Sequence, residues 1–294
     1  MAESIEISVV TPSFNQARFL EECLQSVAEQ QGCAVEHVVF DGGSTDGSVA
    51  ILRRWSGRVR WVSQKDRGQA DAVNQGIRST RGEIVGWLNS DDFYYPGAFA
   101  HVLAVFRDDE SVDVVYGHAD YADIDGRAYD RYPTEPWSYP RLIETCYVCQ
   151  PALFFRRRVV ERVGLLNEQL NFCMDYEYWL RFARAGLEVR YVPARLAVAR
   201  MYATNKTMGS RVAMLAEINT MLRSQLAVAP DHWLFSFGHA VAGQWLRRES
   251  ARHIYGAVVV MVTLFAALRW NGRISGPMMR KIRLLAGKSL GFTR

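Results

Sequence analysis

No acidic residue follows Glu249 in this chain of 294 residues. Eight of its 35 basic residues lie in that stretch: Arg252, Arg269, Arg273, Arg280, Lys281, Arg283, Lys288 and Arg294. The first 249 residues therefore carry a net charge of −4, although the whole chain stands at +4. A basic tail on an acidic-leaning body suits an anionic partner such as a membrane leaflet. No aromatic stacking platform accompanies the charge, which argues against single-stranded nucleic acid. Cysteine is sparse as well. Cys23, Cys33, Cys146, Cys149 and Cys173 are odd in number and irregularly spaced, which excludes a disulfide framework and fits a reducing compartment. Cys146-x-x-Cys149 has no second close pair or His cluster to complete a zinc site. The chain shows neither G-x-x-x-x-G-K-[ST] nor G-x-G-x-x-G, so neither a P-loop nor a dinucleotide-binding turn is expected. No basic segment followed by an apolar one opens it, so no signal peptide is expected and a cytoplasmic location is. Ile254 to Leu268 is 15 residues without a charge, short of the roughly 20 that span a bilayer. It reads as a core helix, a re-entrant segment or a monotopic anchor.

What is present alternates. Apolar β-rich runs at Ile5–Thr11, Val35–Phe40, Val59–Ser63 and Ile84–Leu88 are separated by segments of helical period near 16–27, 49–55 and 70–79. This order predicts an α/β fold, a doubly wound and mostly parallel sheet. Pro12 to Asn15 is expected to break the first strand, with Asn15 capping the helix after it. Further helices are expected at 98–106, 156–163, 174–185 and 211–227, and strands at 112–116, 153–155 and 187–192. Asp120, Asp123 and Asp125 faintly suggest a calcium loop, but Tyr132 stands where an EF-hand needs its final Glu. A hairpin turn at Asp125-Gly126 is the better reading.

The chain is organised around Glu83 to Asp92, an apolar run ending in two adjacent carboxylates. Asp91 and Asp92 would sit at the carboxyl end of a buried strand, where open α/β sheets bind ligands. Two such close acids repel unless a cation or hydrogen-bond donors offset them. Acids also occur in ordinary turns, so the pair alone decides little. Polar loops follow the other three strands: Pro12-Ser13-Phe14-Asn15, Asp41 to Ser48, and Lys65 to Gln69. All four segments collect at one edge of the sheet. Gly42, Gly43 and Gly47 let backbone N–H groups approach a phosphate or ribose. Asp175 falls at or near a helix N-cap, where capping is its ordinary role.

Six segments in order resemble the inverting family-2 glycosyltransferases of the GT-A fold, in particular bacterial enzymes that assemble O-antigen and other surface polysaccharides. They are Val10 to Asn15, Asp41 to Gly47, Asp66 to Ala72, Asn89-Ser90-Asp91-Asp92, Gln150-Pro151, and Met174-Asp175-x-x-x-Trp179. The resemblance covers residues 5–210 and implies a nucleoside-diphosphate sugar donor. Phe14 would lie against the base, with Pro12, Ser13 and Asn15 around the nucleotide. Asp41 would accept a hydrogen bond from the base. Asp66, Gln69 and Asp71 would line the pocket. Asp92 would coordinate Mg²⁺ or Mn²⁺, with Asp91 near the ribose or a metal-bound water. Asn89 stands where many relatives carry a third acid. Asp175 would be the catalytic base, and Gln150, Trp179 and the aromatic loop 132–139 would face a glycan or polyprenyl-linked acceptor. Relatives often carry a His near 201–207; here Tyr202 or Lys206 would meet the diphosphate. His101 and His118 read as ordinary surface or supporting residues.

The expected organisation is a GT-A domain over 1–210 and a basic helical extension over 211–294, peripheral at the inner face of the cytoplasmic membrane. Two rival functions remain. A sugar-nucleotidyltransferase shares the sheet but places a Gly-rich basic loop after its first strand, which this chain lacks. A non-catalytic nucleotide-sugar binder would not need Asp41, Asp92 and Asp175 together.

Overall fold

The computed structural model describes residues 6–247, 249 and 252–289. It divides into two compact units. The first takes the chain up to Leu142 and then Cys146–Ala203; the second takes Ile143–Thr145 and the chain from Thr204 on.

In the first unit, β1 (Ile7–Ser13), α1 (Ala17–Ala28), β2 (Val35–Asp41), α2 (Ser48–Arg54), β3 (Arg60–Ser63), α3 (Gln69–Ser79) and β4 (Ile84–Trp87) alternate. The four strands lie side by side as β3-β2-β1-β4, all parallel. Every residue of β1 is buried, as expected of a strand covered on both faces. The apolar stripe Phe19, Leu20, Cys23, Leu24 and Val27 is the buried side of α1.

Then come β5 (Phe93–Tyr94), α4 (Ala98–Asp108), β6 (Val114–Ala122), β7 (Ala128–Arg131), α5 (Tyr139–Glu144), a single 3-10 turn at Gln150–Ala152, β8 (Leu153–Arg156), α6 (Arg158–Val163), α7 (Met174–Arg184) and β9 (Val189–Arg200). Here the sheet becomes mixed. β8 runs antiparallel to both β4 and β6, β9 is parallel to β6, and β5 is antiparallel to β9. The parallel arrangement expected from the alternating order holds for the first four strands.

Three local expectations need correction. β1 continues through Pro12 and Ser13, because Ser13 pairs with Asp41 of β2. Asn15 does not cap α1. Gln16 takes that position, and Asn15 adopts φ 52°, a left-handed conformation that Asn tolerates. β6 and β9 are both longer than their apolar runs suggest. They pair from Val114–Val189 to Ala122–Arg200, with register shifts on both sides of His118. Pro193, which lacks an N–H for the ladder, is among the extra residues of β9 at the first shift, where the strand bulges and resumes. The hairpin at Asp125-Gly126 forms as expected: Gly126 has φ 82°, and Asp123 Oδ1 accepts from the N–H groups of Asp125 and Arg127, each at 3.0 Å.

The second unit is helical: α8 (Lys206–Gly209), α9 (Arg211–Leu226), α10 (Asp231–Trp245), α11 (Arg252–Asn271) and α12 (Gly276–Ser289). Its core gathers Ala229, Leu234, Phe235, Ala266, Ala267, Met278 and Ile282. The segment His253–Asn271 is long and apolar enough to cross a membrane, with only 22% of it buried within the protein. Val259, Thr263, Ala266 and Ala267 of the same helix are buried.

Candidate active site

The carboxyl ends of β1, β2 and β3 are level, and β4 ends opposite Val10 of β1. Ser13 pairs with Asp41, and Asp41 pairs with Ser63, so the loops after β1, β2 and β3 leave the sheet together. Asn15 laces the first two. Its N–H donates to Ser44 Oγ at 2.7 Å, and its Oδ1 accepts from Thr45 N–H at 2.9 Å. Asp46 Oδ2 accepts from the Ala17 N–H at 2.9 Å, and Asp46 Oδ1 from the N–H and hydroxyl of Ser48 at 3.0 and 2.6 Å. These two loops hold each other before any ligand arrives.

Phe14, Gly42 and Asp66 converge there. A Cβ on Gly42 would lie 2.9 Å from Asp66 Oδ2 and 3.3 Å from Phe14 Cδ2, so glycine leaves both side chains their place. Phe14 is 60% exposed, an open aromatic face suited to a planar base. Ser13 Oγ is buried with no hydrogen-bond partner among the described residues. Asp41 faces inward. Its carboxylate accepts from Gly43 N–H (3.1 Å), Ser44 N–H (2.9 Å), Ser44 Oγ (2.5 Å) and Ser63 Oγ (2.6 Å), which fills the lone pairs expected to meet a base. Asp71 is also engaged within the protein, accepting from Arg67 N–H at 3.1 Å and pairing with its guanidinium at 2.9 Å. Those Arg67 hydrogen bonds hold its carboxyl below the usual range. Arg67 reaches Glu168 as well, at 2.7 Å.

The loop after β4 turns on Asn89. Its Oδ1 accepts from Gln69 Nε2 (2.8 Å) and Trp87 Nε1 (2.9 Å), while its Nδ2 donates to Gln150 Oε1 (2.8 Å) and Asp92 Oδ2 (3.2 Å). Gln150 Nε2 in turn donates to the Trp87 carbonyl at 2.5 Å. An amide is the side chain that supplies both roles here; a carboxylate could only accept. Sequence reading treated Asn89 as a missing acid. The signal that it is a connector lies in its neighbours in space, Gln69 and Gln150.

Asp91 and Asp92 differ in environment. Asp92 is 5% exposed, and both of its oxygens are used, Oδ1 by the Arg200 N–H at 3.0 Å and Oδ2 by Asn89. Burial, and then the Asp91 charge, push its carboxyl well above the usual range. Asp91 is only part-buried. Its Oδ2 accepts from the Tyr202 hydroxyl at 2.8 Å. Burial raises its carboxyl too, with Tyr202 and Arg200 opposing. Arg200 buries its guanidinium between the Phe19 and Phe93 rings, 5.1 and 5.0 Å from their centroids. It donates to the Asp91 carbonyl at 2.5 Å and pairs with Glu22. Arg200 and Tyr202, at the end of β9, are functional candidates that the run of motifs did not single out as partners of the acids.

Asp175 lies in the first turn of α7, where Cys173 takes the cap position expected for it. An acid there suits the helix dipole. Burial pushes the Cys149 thiol well up, and the Asp92 and Asp175 charges push it the same way. Tyr132 and Cys146 also feel Asp175. Gln150 is 8% exposed and engaged as above, and Trp179 is 1% exposed against Tyr178 and Phe182. Both were expected on the acceptor side; instead both point inward, Trp179 as core packing. Lys206 opens α8 in the second unit. None of Cys23, Cys33, Cys146, Cys149 and Cys173 forms a disulfide among the described residues. Among the described residues no group of three or more His, Cys, Asp or Glu could hold a metal.

Known proteins are similar to this chain in sequence and in fold. An uncharacterized glycosyltransferase of Rickettsia typhi is 26% identical over 194 residues, 61% of this chain and 59% of that protein. The chondroitin synthase of Escherichia coli is 29% identical over 183 residues, 61% of this chain but 27% of that protein. The likeness thus spans well under two thirds of these relatives' own length. Among solved structures, Staphylococcus aureus TarS 1–349 with UDP-GlcNAc superposes with a TM-score of 0.63 at 15% identity, over 98% of this chain and 89% of that one. The Pyrobaculum calidifontis mannosyltransferase PcManGT, with GDP-Man and Mn²⁺, gives 0.61 at 19% identity, over 100% and 82%. The family described as glycosyl transferase family 2 matches residues 8–164, which hold every strand-end loop of the nucleotide side and both acids. The chain belongs to glycosyltransferase family 2.

Proposed function

We propose that this enzyme moves a sugar from a nucleoside-diphosphate sugar to a hydroxyl of a glycan or polyprenyl-linked acceptor. The step belongs to surface polysaccharide or glycolipid assembly and inverts the anomeric centre in one displacement. The observation that carries the reading is the meeting of Phe14, Gly42 and Asp66 at three strand ends, with the Asp91–Asp92 pair at the end of the fourth. The base stacks on Phe14, and Ser13 and Asp66 offer polar contacts beside it. Asp41 fixes the shape of the loop beneath, and Asp71 fixes Arg67. The nucleotide sugars held by TarS and PcManGT support a donor of this class.

The residues present fit a divalent cation, Mg²⁺ or Mn²⁺. Two adjacent acids with raised carboxyl pKa values gain from a dication that offsets their repulsion. The part-buried Asp91 is the better ligand. Asp92, with both oxygens taken, braces the loop, so the leading contact moves from Asp92 to Asp91. Mg²⁺ commonly takes one or two carboxylates and completes its shell with phosphates and water. When bound, such an ion neutralises charge on the departing diphosphate. The Mn²⁺ in the PcManGT complex supports this chemistry. Asp175 takes the proton of the acceptor hydroxyl, a contribution of about 10²–10⁴-fold in rate. The acid-free tail supports action at an anionic membrane face, the inner face of the cytoplasmic membrane.

Product analysis tests the reaction class. Release of a nucleoside diphosphate from the nucleotide sugar is expected. Formation of pyrophosphate from a nucleoside triphosphate and a sugar phosphate would replace this reading with a nucleotidyltransferase.

A further inference from the structure

Helix α11 carries an apolar stripe. Ile254, Met261, Phe265 and Leu268 are 61%, 64%, 66% and 53% exposed. Their spacing of seven, four and three residues sets them along one side of a helix, over about 21 Å at 1.5 Å per residue. Other residues of the same helix are locked in the core. Val259, Thr263, Ala266 and Ala267 are at most 2% exposed, the last two clustering with Leu234, Phe235, Met278 and Ile282. α10 approaches so closely that a Cβ on Gly238 would lie 2.3 Å from Thr263 Oγ1 and 2.9 Å from the Val259 carbonyl. His239 Nδ1 and the Tyr255 hydroxyl meet at 3.2 Å. α11 is thus clamped by its neighbours and turns an apolar face outward.

We propose that α11 docks in the plane of an anionic bilayer with Ile254, Met261, Phe265 and Leu268 entering the boundary between headgroups and acyl chains. The proposal rests on the membrane reading above and names the surface that performs it. A contiguous apolar stripe on a soluble unit marks an interaction surface. The charge around it selects the occupant. Arg269 and Arg273 are exposed beside the Leu268 end, and Arg280 and Arg283 are exposed on α12; no acid follows Glu249 in the sequence, and Asp231 of α10, which meets Ser275 at the start of α12, leaves these four in excess. Basic residues flanking an apolar helix face suit anionic headgroups. They oppose a second copy, because a two-fold contact would bring the same cations together. Crossing the bilayer is disfavoured because Thr263, Ala266 and Ala267 would have to leave the core they share with α10 and α12.

The test uses the full chain and sedimentation with vesicles of phosphatidylcholine, with and without phosphatidylglycerol, at low salt and at about 0.5 M salt, where charge is screened. Wild type should pellet with the anionic vesicles and partly resist salt. The double variant Met261→Ser/Phe265→Ser, which changes exposed positions only, should bind about tenfold less, and salt should release what remains. Wild-type circular dichroism of the variant excludes unfolding. As a second readout, Phe265→Trp should shift its emission to the blue on anionic vesicles alone. If the double serine variant binds like wild type, the stripe is not the docking surface, although the membrane reading survives. If wild type ignores anionic vesicles but is a dimer that the serine variant dissociates, the stripe joins two copies and the membrane reading falls with the proposal.

Discussion

The Tyr202 hydroxyl donates to Asp91 Oδ2 at 2.8 Å, joining residues 111 positions apart. The Tyr202 ring also rests against Phe19, with centroids 5.1 Å apart, and its hydroxyl receives Gln16 Nε2 at 3.4 Å. The carboxylate proposed above to hold the cation is therefore aimed by a residue just beyond β9. Tyr202→Phe keeps the ring and removes the donor. A hydrogen bond to a charged group is worth roughly 1.5–3 kcal/mol, so the melting temperature should fall by a few degrees, and Mn²⁺-dependent nucleotide binding should weaken about tenfold because Asp91 is no longer held in place. Titration of the variant with nucleotide, with and without Mn²⁺, checks this.

Asn89→Asp restores an acid where many relatives carry one, and here it should harm. The new carboxylate cannot donate to Gln150 or Asp92, and it adds a third negative charge beside two carboxyls whose pKa values burial already raises. Leaving buried groups unsatisfied costs about 1–3 kcal/mol each. For a domain of this size that is a fall in melting temperature of roughly 5–10 °C. Calorimetric melting would reveal it, and a variant as stable as wild type would refute the connector role.

Asp175→Asn tests the base. Turnover should fall by about 10²–10⁴-fold, with nucleotide affinity unchanged, because Asp175 lies in the first turn of α7 and not in the loops after β1, β2 and β3. Equal losses in binding and turnover would assign Asp175 to the architecture of α7 instead.

His37 gives the fold a pH dependence. It is 6% exposed and meets Thr11 Oγ1 at 2.9 Å, and burial pushes its pKa down to about 3. The unfolded chain, with His near its ordinary 6.5, binds the extra proton first. Stability is therefore flat above pH 6.5 and falls as pH drops from 6.5 toward 3, by roughly 2 kcal/mol between pH 7 and 5. Urea unfolding at those two pH values should show the slope, and His37→Gln should flatten it.

Much of this was legible in order along the chain. The first four strands, their helices and the gathering of their loops at one edge follow from period and alternation. Trp179 was assigned to the acceptor side by its motif alone, but it packs against Tyr178 and Phe182 of its own helix. The other positions that differ depend on partners remote in the chain. Gln150 belonged to a motif, and only its bonds to Trp87 and Asn89 turn it inward. The reach of β9 to Arg200 depends on a bulge at Pro193, which no apolar run announces, and that reach is what delivers Arg200 and Tyr202 to Asp91 and Asp92.

The central claim is a nucleotide site completed by a divalent cation on Asp91. Calorimetric titration of UDP, GDP and dTDP, each with and without Mn²⁺, into wild type, Asp91→Asn and Asp92→Ala tests it most directly. One nucleotide should bind wild type about tenfold or more tighter with Mn²⁺, and Asp91→Asn should keep the weak metal-free binding while losing the gain. Asp92→Ala, which removes the acceptor of Arg200 and Asn89, should lose the gain together with stability. Binding that is indifferent to Mn²⁺, or an Asp91→Asn protein that keeps the full metal response, would contradict the account.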